Sequence, residues 1–376
     1  MHFGIISPPV PGHLHPFCAL GRELIGRGHR VTLVHVPDLA NRAETEGLEF
    51  ATVGTSDFPA GSLTKSLRQL AALKGLAALR FTIGEIRKTT EIFCRDAPRA
   101  IEAAKMDVLL VDQTEPAGGA LSEYLGLPFV TICNALALNR EPDVPPPFTA
   151  WNYHPRWWTR IRNAAGYAVF DRFMRPIMEV VDAYRTRWKL PKLRSPSDSF
   201  SQLAQISQQT SAFDFPRRSP PPNFHYVGPI RRPYRKIDFP WGRLNGRPLV
   251  YASLGTLQNR KEQLFRYFAE ACSQLNLQLV LAHGGGVDER FTASLPGNTI
   301  AVNYAPQLDV LAHAQLTLTH AGLNTVLDSL TFGVPLLAVP ITYEQPAIAS
   351  RIRWCDVGEV IPYADVTADR LRKIIE

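Results

Sequence analysis

Cysteine is scarce and scattered: five residues in a chain of 376, Cys18, Cys94, Cys133, Cys272 and Cys355, with no C-x-x-C pair. That excludes a disulfide framework and a thiolate zinc site, and it fits reduced thiols in a cytoplasm. No uninterrupted apolar run is long enough to cross a bilayer, and proline and glycine break up the amino terminus by Pro8. Neither a membrane span nor a secretory leader is therefore expected. There is no D-x-D pair to hold a divalent metal and no G-x-S-x-G turn to seat a nucleophilic serine. No residue-level repeat is visible, and no nucleic-acid module accompanies the basic residues. What is present is 45% hydrophobic and 20% charged residues, ordinary for a soluble globular protein long enough for two domains.

Short apolar strands alternate with helical stretches, the pattern of parallel α/β structure. In the first half, strands are expected at residues 3–7, 30–36, 107–111 and 129–132, with helices such as 16–27 and 116–125 between them. A second series, at 249–253, 278–282, 299–302, 316–319 and 336–339, follows a stretch with eight prolines between 216 and 248. Proline removes donors and interrupts periodic structure, so residues 216–248 read as a linker, with a last strand near 224–227. The expected organisation is an amino-terminal Rossmann-like domain, 1–215, with an irregular insertion at about 134–196, then the linker, then a second Rossmann-like domain, 249–376. Ligands in such sheets sit beyond the carboxyl ends of the strands.

Charge is unevenly placed. Residues 151–195 carry ten arginines and lysines against three acidic residues, and 216–247 carry eight against one, although the whole chain is only +7. In the first stretch the basic residues interleave with Trp151, Tyr153, Trp157 and Trp158. That composition suits the interface of an anionic membrane, and equally a lid solvated on one face.

Residues 304–345 carry the chemistry. An apolar strand ends at Thr319, a small-residue turn follows at His320-Ala321-Gly322, and a helix is expected from Leu323. A helix start offers unpaired N–H groups and partial positive charge, a natural seat for phosphate. His320, Asn324 and Thr325 add side-chain donors there, and Asp328, four residues beyond Asn324, shares its helix face. Donors first and a lone carboxylate after suit a diphosphate joined to a ribose diol. Tyr304 and Gln307 offer an aromatic face and an amide to a base, and Glu344 with Gln345 can grip sugar hydroxyls. In the loop Ser253-Leu254-Gly255-Thr256, Gly255 admits a phosphate to the backbone and Thr256 can donate to it.

A base is expected at His13, in the rigid loop Pro8-Pro9-Val10-Pro11-Gly12-His13 after the first strand, with Pro16 at the first helical position. His15 is the nearby rival. Asp112, at the carboxyl end of its strand, can fix the tautomer of such a base, and it can also cap the helix starting near Pro116.

The ordered set Tyr304-Ala305-Pro306-Gln307, His320-Ala321-Gly322-Leu323-Asn324-Thr325, Asp328, Gly333-Val334-Pro335 and Glu344-Gln345 resembles the UDP-glycosyltransferase signature. Inverting enzymes of that family carry W-x-P-Q, H-x-G-x-N-[ST], E, G-V-P and [DE]-Q in this order. The stretches Val111-Asp112-Gln113-Thr114-Glu115-Pro116, Leu138-Asn139-Arg140-Glu141-Pro142, Ala252-Ser253-Leu254-Gly255-Thr256-Leu257-Gln258 and Thr319 to Asp328 are similar to the carotenoid (zeaxanthin) glucosyltransferases of bacteria.

The resemblance implies a GT-B fold, two Rossmann-like parallel-sheet domains facing across a cleft. It implies UDP-glucose as donor and a hydroxyl of a lipophilic acceptor, such as a carotenoid, as the attacking group. By the same resemblance Tyr304 stacks on the base, His320, Asn324 and Thr325 bind the diphosphate, Asp328 holds the ribose, Glu344 and Gln345 hold the sugar, and His13 with Asp112 forms the catalytic pair. Tyrosine and aspartate replace the family's tryptophan and glutamate, which shortens their reach. No metal and no cofactor is expected, the UDP-sugar being a co-substrate, and no nucleic-acid partner. The expected location is cytoplasmic, peripheral on the inner face of a membrane through residues 151–195. In the family a further helix returns to brace the first lobe, so the end at Glu376 reads as shortened. Three rivals stand beside this reading: a relative acting on a sterol, polyketide or phenolic hydroxyl, a UDP-sugar epimerase that needs no acceptor, and a catalytically idle nucleotide-sugar binder.

Overall fold

Leu109, Leu110 and Val111, like Leu279, Val280 and Leu281, are apolar on both faces of their strands, and such strands need cover from both sides. In the computed structural model, which describes residues 1–73, 75–231, 237–256 and 259–376, they lie on interior strands of two parallel sheets with helices between the strands. Leu257 and Gln258, and residues 232–236 of the expected linker, lie outside the described residues.

The first unit runs β1 (His2–Ile6), α1 (Pro11–Gly26), β2 (Arg30–His35), α2 (Ala40–Thr45), β3 (Glu49–Thr52), α3 (Ser62–Ala72) and α4 (Gly75–Ala104). It continues through β4 (Val108–Asp112), α5 (Ala117–Leu125), β5 (Phe129–Cys133), α6 (Trp157–Arg187), β6 (Ala204–Ser207) and β7 (Phe224–Tyr226). Its seven strands are ordered β3-β2-β1-β4-β5-β6-β7. Ile92, Phe93 and Ala97 of α4 pack with Val34, Leu109 and Val111 on one side, while Phe17 of α1 packs with Ile5, Leu33 and Leu110 on the other.

The second unit runs β8 (Leu249–Ser253), α7 (Glu262–Gln274), β9 (Gln278–Ala282), α8 (Glu289–Ala293), β10 (Ile300–Val302) and α9 (Gln307–Leu311). It closes with β11 (Ala314–Thr319), α10 (Leu323–Thr331), β12 (Leu336–Ala338), α11 (Gln345–Trp354), β13 (Gly358–Val360) and α12 (Ala368–Ile375). Six strands are ordered β10-β9-β8-β11-β12-β13. Phe265 and Phe268 of α7 pack with Leu279, Leu281 and Leu318, and Val310 and Leu311 of α9 pack with Tyr251 and Val280.

The chain does not divide at a single cut. Met1–Val144, Pro155–Thr210 and Arg217–Arg231 form the first unit; Pro145–His154 and Ser211–Pro216 pack with the described residues of 232–376 in the second. The start of the proline-rich stretch thus supplies β7 to the first sheet, and the expected insertion at 134–196 is shared between the units. Two physical anchors hold the short returning segment Ser211–Pro216 in the second unit. Asp214 forms an ion pair at 2.8 Å with Arg351, both side chains being about as buried as any in the protein. Phe215 lies under the Arg351 guanidinium and stacks on Tyr153. No helix among the described residues is long and apolar enough to cross a membrane.

Candidate active site

In each sheet the chain builds outward one way and then the other. The reversal falls between β1 and β4 in the first unit and between β8 and β11 in the second. Loops leaving the carboxyl ends of those strand pairs diverge and open a crevice, the usual ligand seat of such sheets. At those carboxyl ends lie His13, in the first turn of the helix after β1, and Asp112, the last residue of β4; Ser253–Thr256 and His320–Thr325 hold the same places after β8 and β11.

His13 is not in the loop before the helix. The helix begins at Pro11, and His13 lies in its first turn, its N–H bonded to the carbonyl of Val10. Pro11 takes the first-turn place expected of Pro16, because proline's fixed φ and missing donor suit a position whose N–H has no helical partner; Pro16 lies inside α1. His13 Nδ1 is 2.8 Å from Asp112 Oδ2. A carboxylate can only accept, so Nδ1 carries the proton and Nε2 is left as the acceptor.

Asp112 is fully buried and takes four donors, His13 Nδ1 and Asn134 Nδ2 on Oδ2, the Thr114 N–H and hydroxyl on Oδ1. Burial raises its pKa, but the charge and hydrogen bond of His13 and the two bonds from Thr114 outweigh it and hold the carboxyl below its ordinary value. It does not cap α5, whose N-cap is Pro116; the Thr114 bonds make a turn instead. Glu115, in the same loop, is pushed up to about 8 by burial and then by the charge of Asp112, against a smaller opposing pull from His13, so it holds its proton at neutral pH. His15 is lowered to about 4 by burial and by Arg42, Arg231 and Arg22, which makes it a poor base beside His13.

In the second unit, Ala321 adopts φ 65, a left-handed conformation that a residue with a side chain rarely takes, and the chain then enters α10 with Gly322 as N-cap and no side-chain cap. The first N–H groups of α10 have no intrahelical acceptor. The His320 ring fills the space beside two glycines: a Cβ on Gly322 would lie 2.6 Å from its Cε1, and one on Gly255, itself at φ 68, 3.0 Å. Burial lowers His320 to about 4, against a hydrogen bond to the Ser253 backbone. Nδ1 is buried with no partner among the described residues, so that bond is made by Nε2–H.

His320 Nδ1 therefore carries a lone pair, and a phosphate bound against it would need the ring to take up a proton before it could donate. Diphosphate charge favours the imidazolium, so the pKa of about 4 rises on binding, and protons are taken up at pH values between the free and bound values. UDP binding near pH 6 is expected to absorb up to about one proton per site. Calorimetry in buffers of different ionisation enthalpy reads this uptake; its absence in the wild type, or its persistence in His320→Gln, contradicts the assignment.

Gln307 does not present its amide to a base. Nε2 donates to Asp328 Oδ2 at 2.6 Å, and Oε1 accepts from the Tyr251 hydroxyl at 2.9 Å and, at 3.5 Å, from Thr325. Asp328 is buried, and a buried carboxylate needs such a donor. Gln307 thereby sets the aim of Asp328 and ties α9 to α10. Tyr304, just before α9, is 59% exposed, an available aromatic face. Gln345 opens α11 with Oε1 accepting from the Ile341 and Thr342 N–H groups, which shapes the turn holding Glu344 and points the amide's donor end to other partners.

The structure thus gathers Ser253, Gly255, His320 and Gly322 in one cluster and Gln307, Thr325 and Asp328 in a second, linked through α10. His13 and Asp112 form their own pair in the first unit. Among the described residues no group of three or more histidine, cysteine or acidic side chains gathers as metal ligands would. Sequence reasoning missed Asn134, Glu115 and Tyr251. Asn134 follows the end of β5, beside β4 in the sheet, and a polar residue immediately after an apolar parallel strand was the available signal.

Known proteins resemble this chain over most of its length. The model of the family described as "UDP-glucoronosyl and UDP-glucosyl transferase" matches residues 23–367. A zeaxanthin glucosyltransferase of Pantoea ananas is 38% identical over 95% of this chain and 84% of its own length. One from Pseudescherichia vulneris is 35% identical over 95% and 85%. Among solved structures, the glycosyltransferase of kitacinnamycin superposes with a TM-score of 0.74 at 23% identity, covering 100% of this chain and 89% of that one. At that identity the likeness bears on the fold alone, which is the two-domain glycosyltransferase type GT-B.

Proposed function

The chain belongs to the UDP-glucoronosyl and UDP-glucosyl transferase family, and from that premise we propose that it transfers glucose, with inversion, from UDP-glucose to a hydroxyl of a lipophilic acceptor such as a carotenoid. Glycosyl transfer from a nucleotide sugar is the activity of the family. The finer reading is supported by the zeaxanthin glucosyltransferases that this chain resembles over most of its length. The observation that carries the mechanism is the 2.8 Å bond between His13 Nδ1 and a fully buried, ionised Asp112.

His13 Nε2 accepts the proton of the acceptor hydroxyl as its oxygen attacks the anomeric carbon, and Asp112 stabilises the imidazolium that results. The bond to the UDP oxygen breaks as the new one forms. Negative charge growing on the diphosphate meets the first N–H groups of α10 and the side chains of His320, Asn324 and Thr325, with Thr256 nearby in sequence on the β8 loop. Such donors can do the work of a cation, so the reaction runs without metal or cofactor. Tyr304 stacks on the base, Asp328 holds the ribose, and Glu344 and Gln345 hold the glucose.

The enzyme works in the cytoplasm, peripheral on the inner face of the membrane that dissolves its acceptor. Supporting this, Trp157, Ile161 and Val169 on α6 are 74%, 62% and 55% exposed at four- and eight-residue spacings, so they share one helix face, with Arg172 beside them. The basic surplus is smaller than the sequence count implies, since Arg160 and Arg185 are paired with Asp143 and Glu123, which lie outside the stretch.

UDP release across a panel of sugar donors is the test, with zeaxanthin in anionic liposomes, neutral liposomes or detergent. Release is expected to be fastest with UDP-glucose, to need acceptor, to survive EDTA, and to be favoured by anionic liposomes in a salt-sensitive way. Equal rates without acceptor indicate the epimerase reading, UDP binding without release the idle binder, and a preference for sterol, polyketide or phenolic hydroxyls a different aglycone. Strict manganese dependence overturns the metal-free mechanism, and identical rates on both liposomes overturn the membrane contact.

A further inference from the structure

We propose that Asn134 is a positioning residue of the transfer reaction, its amide Nδ2 holding the Asp112 carboxylate and the backbone of His13 in one fixed geometry. The proposal rests on the reading of His13 as base. Asn134 is 3% exposed and stands one residue beyond β5. Its Nδ2 lies 3.1 Å from Asp112 Oδ2, the oxygen that also accepts from His13, and 3.2 Å from the His13 carbonyl. Both partners can only accept, which fixes the amide's orientation with the donor end toward the pair. One amide therefore ties the two ends of the catalytic hydrogen bond together, across strands β1, β4 and β5.

The loop that carries Asn134 is itself held by side chains rather than by sheet pairing. Gln208 Nε2 donates to the Asn134 carbonyl at 2.6 Å, and Arg231 donates to Gln208 Oε1 at 2.8 Å. Gln113, next to Asp112, accepts from the Leu138 N–H and donates to the Leu136 carbonyl; Gln209 accepts from the Ala137 N–H. Three glutamines thus brace residues 134–138 from β4 and β6, so Asn134 cannot drift from the pair without breaking buried hydrogen bonds. Asn134 Oδ1 is buried with no partner among the described residues. An amide held in place with one end unsatisfied is serving its other end.

The consequence is electrostatic as well as geometric. A hydrogen bond donated to Asp112 Oδ2 spreads the carboxylate charge and weakens its pull on the His13 proton; removing it favours the imidazolium. The charged or titratable groups around the pair are Glu115 from the β4–α5 loop, His15 on α1, Arg217 near Cys133 at the end of β5, and Arg231 behind Gln208. None of these replaces the Asn134 donor on Oδ2.

The test compares Asn134→Leu, Asn134→Asp and Gln208→Leu with the wild type in acceptor-saturated transfer over a range of pH, with thermal melting and UDP binding measured alongside. Asn134→Leu is expected to lower kcat by about 10–100-fold with the donor KM within about twofold, and to move the acid limb of kcat/KM up by about half a pH unit or more. Asn134→Asp, which keeps the shape and adds a charge, is expected to move the limb further, and Gln208→Leu less. Normal kcat and an unmoved limb in folded Asn134→Asp overturn the proposal, as does a fall in melting temperature alone. Where His13→Ala retains full transfer, the reading of the base fails first and separately.

Discussion

Replacing His13 with alanine is expected to lower kcat by about 10²–10⁴-fold, the usual size of a general-base contribution, and to leave UDP affinity unchanged. In the proposed mechanism leaving-group charge is met by α10, so the variant would keep that half of the catalysis. Asp112→Asn removes the negative partner while keeping the shape. The asparagine presents either an N–H or a carbonyl to His13 Nδ1, so the tautomer is no longer dictated, and a loss of about the same order is expected. Rates from single-turnover transfer, set beside UDP affinity by calorimetry, check both. A His13→Ala enzyme within about tenfold of wild type removes general-base catalysis by this residue from the mechanism.

The second large effect is on stability. Arg351→Met leaves the buried Asp214 carboxylate without the cation that lies 2.8 Å away, though the Phe215 N–H still donates to it. Breaking a buried pair from one side costs about 3–5 kcal/mol, because the remaining charge stays desolvated without its counter-ion. At roughly 2–4 °C per kcal/mol for a unit of this size, the melting transition of the second unit falls by about 10 °C. The double variant Arg351→Met with Asp214→Leu removes both charges and is expected to recover much of the loss. Calorimetric melting of the three proteins decides it: equal transitions for wild type and Arg351→Met contradict the assignment of this pair as the anchor of residues 211–216.

The central strands were legible because their apolar runs are uninterrupted, so β1, β2, β4, β5, β8, β9 and β11 lie where their composition places them, within two residues. Three strands escaped. β3, of sequence EFAT, and β13, of sequence GEV, are short edges whose burial is partial, so neither has a hydrophobic pattern to read. β6, of sequence AQIS, lies inside the sheet with polar residues whose burial is balanced by side-chain bonds such as Gln205 to Asn139, a network of distant residues. The His13–Asp112 pairing was legible because Asp112 ends one apolar strand and His13 follows the end of another, and the parallel topology brings strand ends to one edge. The roles of Gln307 and Asn134 were not: each depends on where an amide points, and that is set by residues far along the chain, Tyr251 and Asp328 for one, Asp112 and His13 for the other. The protonation of His320 follows from burial against Ser253 and two glycines, which local sequence does not carry.

The most direct measurement is the anomeric configuration of the product formed from radiolabelled UDP-glucose and zeaxanthin in detergent containing EDTA. A single displacement assisted by His13 gives a β-glucoside, with UDP and labelled product in equal amounts. An α-linked product, or UDP released with no labelled acceptor, contradicts it.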